Sequence, residues 1–415
     1  MKDSGVEWIG AIPRDWLISK YKNICEIKNG YAFDSSKFSL DNGFPLIRIR
    51  DITSGNIETY YTGEYNEEYI VRKNDLLVGM DGDFNVRWWD NQDALLNQRC
   101  MKITAEEGVS NRFIYYSLPF QLKIINDLSY ATTVKHLSHF DVLNSKIAIP
   151  SIEQQLKITT FLDDKTSEIN SIVNKTEQSI EELKAYKQSL ITETVTKGLN
   201  PDAPMKDSGI EWIGEIPVEW SRTKMKNVCS IGSGTTPKSS NDSYYNGDIY
   251  WIQSGDLYQK KYIQDTNKKI TEKALIDTSS LRLFNAPYLV VAMYGASIGN
   301  VSISNIDATV NQAVGVIEPS SIDTKYLYYV LTASRPGFLQ YSVGGTQPNI
   351  SQTIINNWIV PLPPLDEQEH ISKYLENITQ QVDILINKKH QMIKELESYK
   401  QSLIYEYVTG KKEVE

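Results

Sequence analysis

The chain has only three cysteines, Cys25, Cys100 and Cys229, and none stands in a CxxC spacing. Neither a disulfide framework nor a cysteine-rich zinc site is therefore expected. Long hydrophobic runs are missing too: stretches such as Leu289–Met293 fall far below the ~20 residues that span a bilayer. The opening MKDSGVEWIGAIPRDW has neither the basic start nor the apolar core of a signal peptide, so a soluble, cytoplasmic protein is expected. Nor is positive charge in excess. Forty-three Lys and Arg against 52 Asp and Glu leave a net charge of −9, which discourages non-specific attraction to a polyanion. A nucleic-acid reader of this composition must gather positive charge locally or borrow it from partners.

Signatures of chemistry are scarce. The segment from Gly232 to Ser239, GSGTTPKS, resembles a phosphate loop only superficially. The motif needs glycine where Pro237 stands, and proline offers no N–H to a phosphate. No GxGxxG fingerprint follows a strand pattern, and the Asn-Pro-Pro-aromatic signature of an amino-methyltransferase does not occur. The four histidines, His136, His139, His370 and His390, have no partner at metal spacing; His136 and His139 read as loop or cap residues. Asp81 and Asp83 form a close acidic pair, but the corresponding positions of the second copy described next are Tyr294 and Ala296. No catalytic residue, metal ligand or cofactor site is expected in this chain.

What is present is a sequence written twice. Residues 1–16 and 205–220 (MKDSGIEWIGEIPVEW) superpose at a shift of 204, and the match continues from Lys22, Asn23 and Cys25 onto Lys226, Asn227 and Cys229. A second pair, IPSIEQQLKITTFLD (149–163) and LPPLDEQEHISKYLE (362–376), superposes at a shift of 213. The same shift brings the two YKQSLI segments and LLVGMDG (76–82) with LVVAMYG (289–295) into register, and Asn97-Gln98 is matched by Asn311-Gln312 one residue further on. With 415 residues and about 150 per domain, a duplicated domain with an appended element accounts for the length. The expected boundaries are 1–150 and 201–361 for the two variable domains, with 151–200 and 362–415 for the appended elements.

The appended elements read as long helices. Ile152–Val195 contains no Pro or Gly, and helix formers dominate. Leu162, Ile169, Leu183 and Leu190 recur in steps of seven around a polar Thr176, with Ile172, Val173 and Ile180 alongside. The second copy repeats this with Leu375, Val382, Leu396 and Leu403 around Lys389, with Leu385, Ile386 and Ile393 alongside. A seven-residue apolar repeat favours helices that wrap around each other, and one polar seam residue fixes register. Pro150 and Pro363-Pro364 supply starts, while Gly198 and Gly410 supply stops. About 44 residues at 1.5 Å each make a rod of about 65 Å. Matched copies in one chain favour an intramolecular antiparallel pair; dimerisation of each helix with another protein is the alternative.

The variable domains mix short β-rich runs (PLIRIRDI, DLLVGMDG; DIYWIQSGDL, APYLVVAMYG) with turn chemistry and a helix each, Asn111–Leu128 and one near Thr324–Leu331. The expected fold is α+β, a curved sheet or partial barrel with helices in each half and pseudo-twofold overall. Side chains able to bond base edges are Arg48, Arg50, Arg87, Gln98, Arg99 and Lys135 in the first copy. The second offers Lys238, Gln253, Ser254, Gln312, Gln347 and Asn349. Arg and Lys suit guanine O6/N7, while Asn and Gln suit adenine N6/N7. Aromatics are interleaved among them: Tyr31, Trp88, Trp89, Tyr244, Tyr245 and Tyr294.

Several segments together resemble the specificity subunits of type I DNA restriction–modification systems. They are KGLNPDAPMKDSGIEWIGEIPVEW (197–220), PLPPLDEQEHISKYLE (361–376), YKQSLI before VTKG or VTGK, GTTPKSSNDSYYNGDIYWIQSGDL (234–257), and VVAMYGASIGNVSI (290–303) with Asn311-Gln312. The resemblance covers essentially the whole chain, although the first variable domain follows the common patterns less closely than the second. It implies two target-recognition domains, each reading one half of a bipartite, asymmetric site in double-stranded DNA. It also implies an antiparallel coiled coil that acts as spacer and docks two modification (methyltransferase) subunits. S-adenosylmethionine, ATP and Mg belong, by the same resemblance, to modification and restriction (translocase/endonuclease) partners, and this chain is non-catalytic. A coiled-coil scaffold whose variable domains bind proteins is the alternative.

Overall fold

The computed structural model describes residues 1–128, 135–258, 260–340 and 349–414. The chain divides into two compact units, Met1–Thr176 with Gln391–Glu415, and Glu177–His390.

In the first unit the strands that frame the site, besides shorter ones near the chain start and in loops, are β1 (Cys25–Asn29), β2 (Phe44–Ile47), β3 (Ile70–Val71), β4 (Leu76–Gly79), β5 (Val86–Trp88), β6 (Ala94–Leu96) and β7 (Cys100–Ala105). An antiparallel sheet of order β5-β4-β7-β1 adjoins a second in which β6 lies between β2 and β3. All four residues of β4 are buried, as expected of a short unbroken apolar run. Helix α1 (Asn111–Leu128) packs Phe113, Ile114, Leu118 and Leu122 into this core. Of PLIRIRDI only the first half is strand: a short helix begins at Ile49, because the Asp51 carboxylate accepts the backbone N–H of Arg48 at 2.8 Å and starts a turn.

Helix α2 (Ile152–Lys197) follows. The second unit then repeats the plan with β8 (Cys229–Ser233), β9 (Tyr245–Ile252), β10 (Tyr262–Ile263), β11 (Lys269–Ile270), β12 (Tyr288–Ala292), β13 (Val301–Ser304), β14 (Ala308–Val310) and β15 (Val314–Pro319). Its larger sheet has the order β8-β15-β12-β13-β10 and its smaller one β11-β9-β14. Helix α3 (Thr324–Gln340) occupies the place of α1 and runs two turns beyond Leu331, and α4 (Leu365–Val408) closes the chain.

The long helices contribute to both units. In the first, Leu162 and Ile169 of α2 share a buried core with Leu403 and Val408 of α4, and the rings of Phe161 and Tyr407 lie 4.6 Å apart. In the second, Ile191 and Val195 share a core with Ile371 and Leu375. In each unit, then, the early part of one helix meets the late part of the other, and the pairing is antiparallel. Thr176 and Val382 are buried, while Leu183, Leu190, Lys389 and Leu396 are half-buried. Thr176 satisfies its hydroxyl on the Ile172 carbonyl at 2.7 Å. Ile172 and Leu385 face solvent instead of the seam. The helices stop at Gly198 and Gly410, whose φ values of 77° and 67° suit glycine best.

Candidate nucleic-acid interface

In the first unit β2 and β6 are parallel neighbours; in the second β9 and β14 are, and β10 and β13 of the larger sheet are parallel as well. Leu46 and Ile47 of β2 stand opposite Leu95 and Leu96 of β6, and Trp251 and Ile252 of β9 stand opposite Thr309 and Val310 of β14. Parallel strands finish side by side, so the residues that follow them meet at one edge. In the first unit these are Arg48 and the Asn97-Gln98-Arg99 run, with Asn97 N–H bonded to the Ile47 carbonyl at 3.1 Å. In the second they are Gln253-Ser254 and Asn311-Gln312, with Asn311 N–H bonded to the Ile252 carbonyl at 3.0 Å.

Two further segments close on each edge. After β1, Tyr31 N–H bonds to the Leu96 carbonyl; after β8, Thr235 N–H bonds to the Val310 carbonyl. Glycine precedes both, because a Cβ at Gly30 or Gly234 would collide with the backbone oxygen of Asn97 or Val310. Beyond the sheet strands β4 and β12, Asp81 bridges to His136 and Tyr294 bridges to Asn349. Thr236 and Gln312 hydrogen-bond through their side chains.

The chemistry of the two edges differs. In the first unit Asp81 accepts from His136 Nδ1 at 2.7 Å and lies 3.5 Å from Arg99 Nη1, and Lys135 Nζ donates to Asn126 at 2.5 Å. Arg48, Gln98 and Arg99 are exposed. In the second unit Gln312 and Tyr294 are exposed, and Gln253, Ser254 and Asn349 half-exposed. Lys238, also exposed, follows in the loop that carries Thr236.

Other expected readers are committed elsewhere. Arg50 pairs with Asp51 at 3.5 Å and Glu58 at 3.2 Å and donates to Thr59 at 3.1 Å. Arg87 crosses Gly55, bonds the Thr53 carbonyl at 3.4 Å, and lines a cleft of about 460 Å³ with Trp88, Arg112, Tyr115 and Asn170. Trp89 is fully buried, its indole N–H satisfied by the Gln92 carbonyl. Gln347 lies outside the described residues. Asp81 and His136 join this edge although the sequence reading did not place them there; the signal was available, because the shift of 213 places them on Tyr294 and Asn349.

Burial pushes all three cysteine thiols up to about 12, so none is a ready nucleophile. Among the described residues, no cluster of His, Cys, Asp and Glu is arranged to hold a metal ion, and no helix is long and apolar enough to cross a membrane.

The type I restriction modification DNA specificity domain matches the chain twice, over residues 13–182 and 217–395. The specificity subunit of the type I restriction enzyme EcoBI from Escherichia coli is 29% identical over 98% of this chain and 88% of its own length. That of MjaVIII from Methanocaldococcus jannaschii is 24% identical over 96% and 93%. Among solved structures, a chain from work on complex assembly and conformational transition of the type I R-M system aligns with a TM-score of 0.73 at 19% identity, over 96% of this chain and 98% of that one. The HsdS subunit from Thermoanaerobacter tengcongensis aligns at 0.53 and 19%, over 99% and 100%. At these identities the structures speak for the fold alone. A protein-binding scaffold is not favoured by these matches. With the repeat, the two units and both domain matches in agreement, the chain belongs to the DNA specificity subunits of type I restriction–modification systems, their non-catalytic, sequence-determining component.

Proposed function

We propose that the strand-end edge of each unit reads one half of a bipartite, asymmetric site in duplex DNA, and that the two long helices set the gap between the halves. One observation supports this most directly: the same backbone edge is built twice and dressed with different exposed hydrogen-bonding side chains. Arg48, Gln98, Arg99 and Lys135 act in the first unit, and Lys238, Gln253, Ser254, Tyr294, Gln312 and Asn349 in the second. The arginines suit guanine and the amides adenine. With a net charge of −9, much of the phosphate grip falls to partner subunits.

Two modification subunits dock on the helices. The support is a duplicated set of exposed apolar side chains: Ile152, Ile172 and Tyr399 in the first unit match Leu365, Leu385 and Tyr186 in the second at the shift of 213. Exposed apolar side chains at repeated positions suit a repeated partner. S-adenosylmethionine sits on those partners, ATP and Mg on restriction subunits, and the assembly works in the cytoplasm.

The test is an exchange of residues 221–361 for those of another specificity subunit, followed by mapping of methylated adenines. One half of the site should change and the other stay; a change in both would refute modular reading. Inserting whole helical turns between Thr196 and Pro201 should lengthen the gap.

A further inference from the structure

The recognition domains are joined to the long helices by more than apolar packing. In the first unit Arg112 and Tyr116, one turn apart on α1, meet Asp163 and Thr166 of α2. One Asp163 carboxylate oxygen accepts from Arg112 Nε at 2.7 Å and from the Tyr116 hydroxyl at 2.5 Å. That hydroxyl also lies 3.1 Å from Thr166 Oγ1, and Arg112 Nη2 lies 2.6 Å from the same carboxylate. The guanidinium is flanked by the Trp88 and Tyr115 rings at 4.6 and 4.7 Å.

Adding 213 to these four numbers gives Lys325, Tyr329, Glu376 and Thr379. They form a related constellation between α3 and α4, in which Tyr329 is linked to the carboxylate through Lys261 and Tyr262 makes the direct tyrosine bond. Lys325 Nζ reaches Glu376 Oε2 at 2.8 Å, and the Tyr329 and Thr379 hydroxyls are 3.3 Å apart. Tyr262 donates to Glu376 Oε1 at 2.6 Å, and Lys261 bridges Glu376 at 3.2 Å and Tyr329 at 2.9 Å. Burial alone would raise the Glu376 carboxyl, but hydrogen bonds from Lys325 and Tyr262 and the nearby Lys261 bring it down to about 2. The constellation recurs although α1 and α3 share few other residues: at that shift only Tyr115, Tyr116 and Leu118 are identical to their counterparts.

Apolar contact is non-directional and tolerates small rotations, whereas charge-assisted bonds fix direction as well as distance. We propose that this duplicated cation–tyrosine–carboxylate–threonine lock holds each recognition domain at a set angle on its long helix, and thereby sets how strictly the assembly enforces the gap in its DNA site. The inference rests on the bipartite reading proposed above. The four side chains are positioning residues, and none of them belongs to the strand-end edges proposed to read bases.

The test uses the full chain assembled with its methyltransferase partners, acting on duplexes with both half-sites intact and the gap native or changed by one base pair. Tyr116→Phe combined with Tyr329→Phe removes only two hydroxyls. From what single hydrogen bonds contribute, it should lower the ratio of native-gap to altered-gap methylation by about fivefold, with the half-site sequences unchanged. Thr166→Ser keeps a hydroxyl and should retain the wild-type ratio, whereas Thr166→Val should not. A fall in melting temperature with an unchanged ratio would reduce the lock to a stability element and overturn the inference alone. A wild-type complex indifferent to gap length would overturn the bipartite reading together with it. Asp163→Asn should lower the ratio at least as far; should that variant fail to fold, the two hydroxyl deletions still decide the matter.

Discussion

At corresponding points of the two units stand Arg48 and Gln253, Gln98 and Gln312, Asp81 and Tyr294, His136 and Asn349. The backbone around each pair is held by the same bonds. Arg48 and Gln253 both give their N–H to an aspartate three residues on, at 2.8 and 2.9 Å, and both edges are closed by a glycine turn against a parallel strand end. Gln98 and Gln312 are alike, and the other three pairs differ in side chain. The first edge is ionic, with Arg99, Asp81 and His136 in mutual contact; the second carries amides and hydroxyls. A frame that repeats while its chemistry diverges is what an asymmetric site demands, since each half can change without disturbing the fold beneath it.

The comparison breaks first if the units do not stand alone. Leu162 and Leu375 are fully buried counterparts in the two cores, and truncation of such a leucine costs about 2–5 kcal/mol. Hydrogen exchange should report Leu162→Ala in β4 and β7, and Leu375→Ala in β12 and β15, each leaving the other pair protected. Equal exchange in all four strands would mean that the cores melt as one.

The edges themselves are sharpened by Arg99→Ala and Gln312→Ala. Each should relax discrimination at one position of its own half-site by roughly 1–3 kcal/mol, measured by competition between duplexes with single base changes. Only Arg99→Ala should also flatten the dependence of log affinity on log salt, by about 1. If Gln312→Ala changed the salt slope equally, the ionic and amide edges would not be distinct in action.

Much of this frame was legible in the sequence because duplication does the work of a second observation. The shift of 213 located both long helices and paired Tyr294 with Asp81, and the prolines and glycines marked the helix ends. The edges were harder. Arg50 and Arg87 have the right chemistry for bases, but whether an arginine is free depends on Glu58, Thr53 and Gly55, which only the fold brings beside them. Trp89 illustrates the same limit: its neighbour Trp88 is half-exposed while it is fully buried, and alternation along a strand cannot say which face is inside. The short helix at Ile49 escaped notice because β-branched residues fill PLIRIRDI, and the Asp51 cap overrides their preference.

Acid should separate the units by a smaller margin. The folded pKa of Glu376 lies near 2, below its ordinary 4.5. Its contribution is therefore complete above pH 4.5 and lost as pH falls from there toward 2. Its side chain is 34% exposed, so after allowance for screening the contribution is about 1 kcal/mol. Glu376→Gln should lower stability by that amount at neutral pH and flatten the acid limb of denaturation in the second unit. An unchanged acid limb would mean that the carboxylate's bonds persist in the unfolded chain.

The smallest difference lies where the helices cross. Lys187 and Lys400 are counterparts at the shift of 213, and so are Asn170 and Asp383. Lys400 reaches Asn170 at 2.9 Å in the first unit, while Lys187 reaches Asp383 at 2.7 Å in the second. The geometry is the same but only one contact is ionic, and the Asp383 side chain is half in water. Asp383→Asn copies the first unit's contact into the second. It should cost a few tenths of a kcal/mol at low salt, in line with about 0.2–1 kcal/mol for an exposed pair, and nothing in 1 M salt, where the screening length is about 3 Å. Urea titrations at both ionic strengths measure this. A cost that survived high salt would show that the carboxylate holds the crossing by hydrogen-bond geometry instead of charge, making the two contacts equivalent after all.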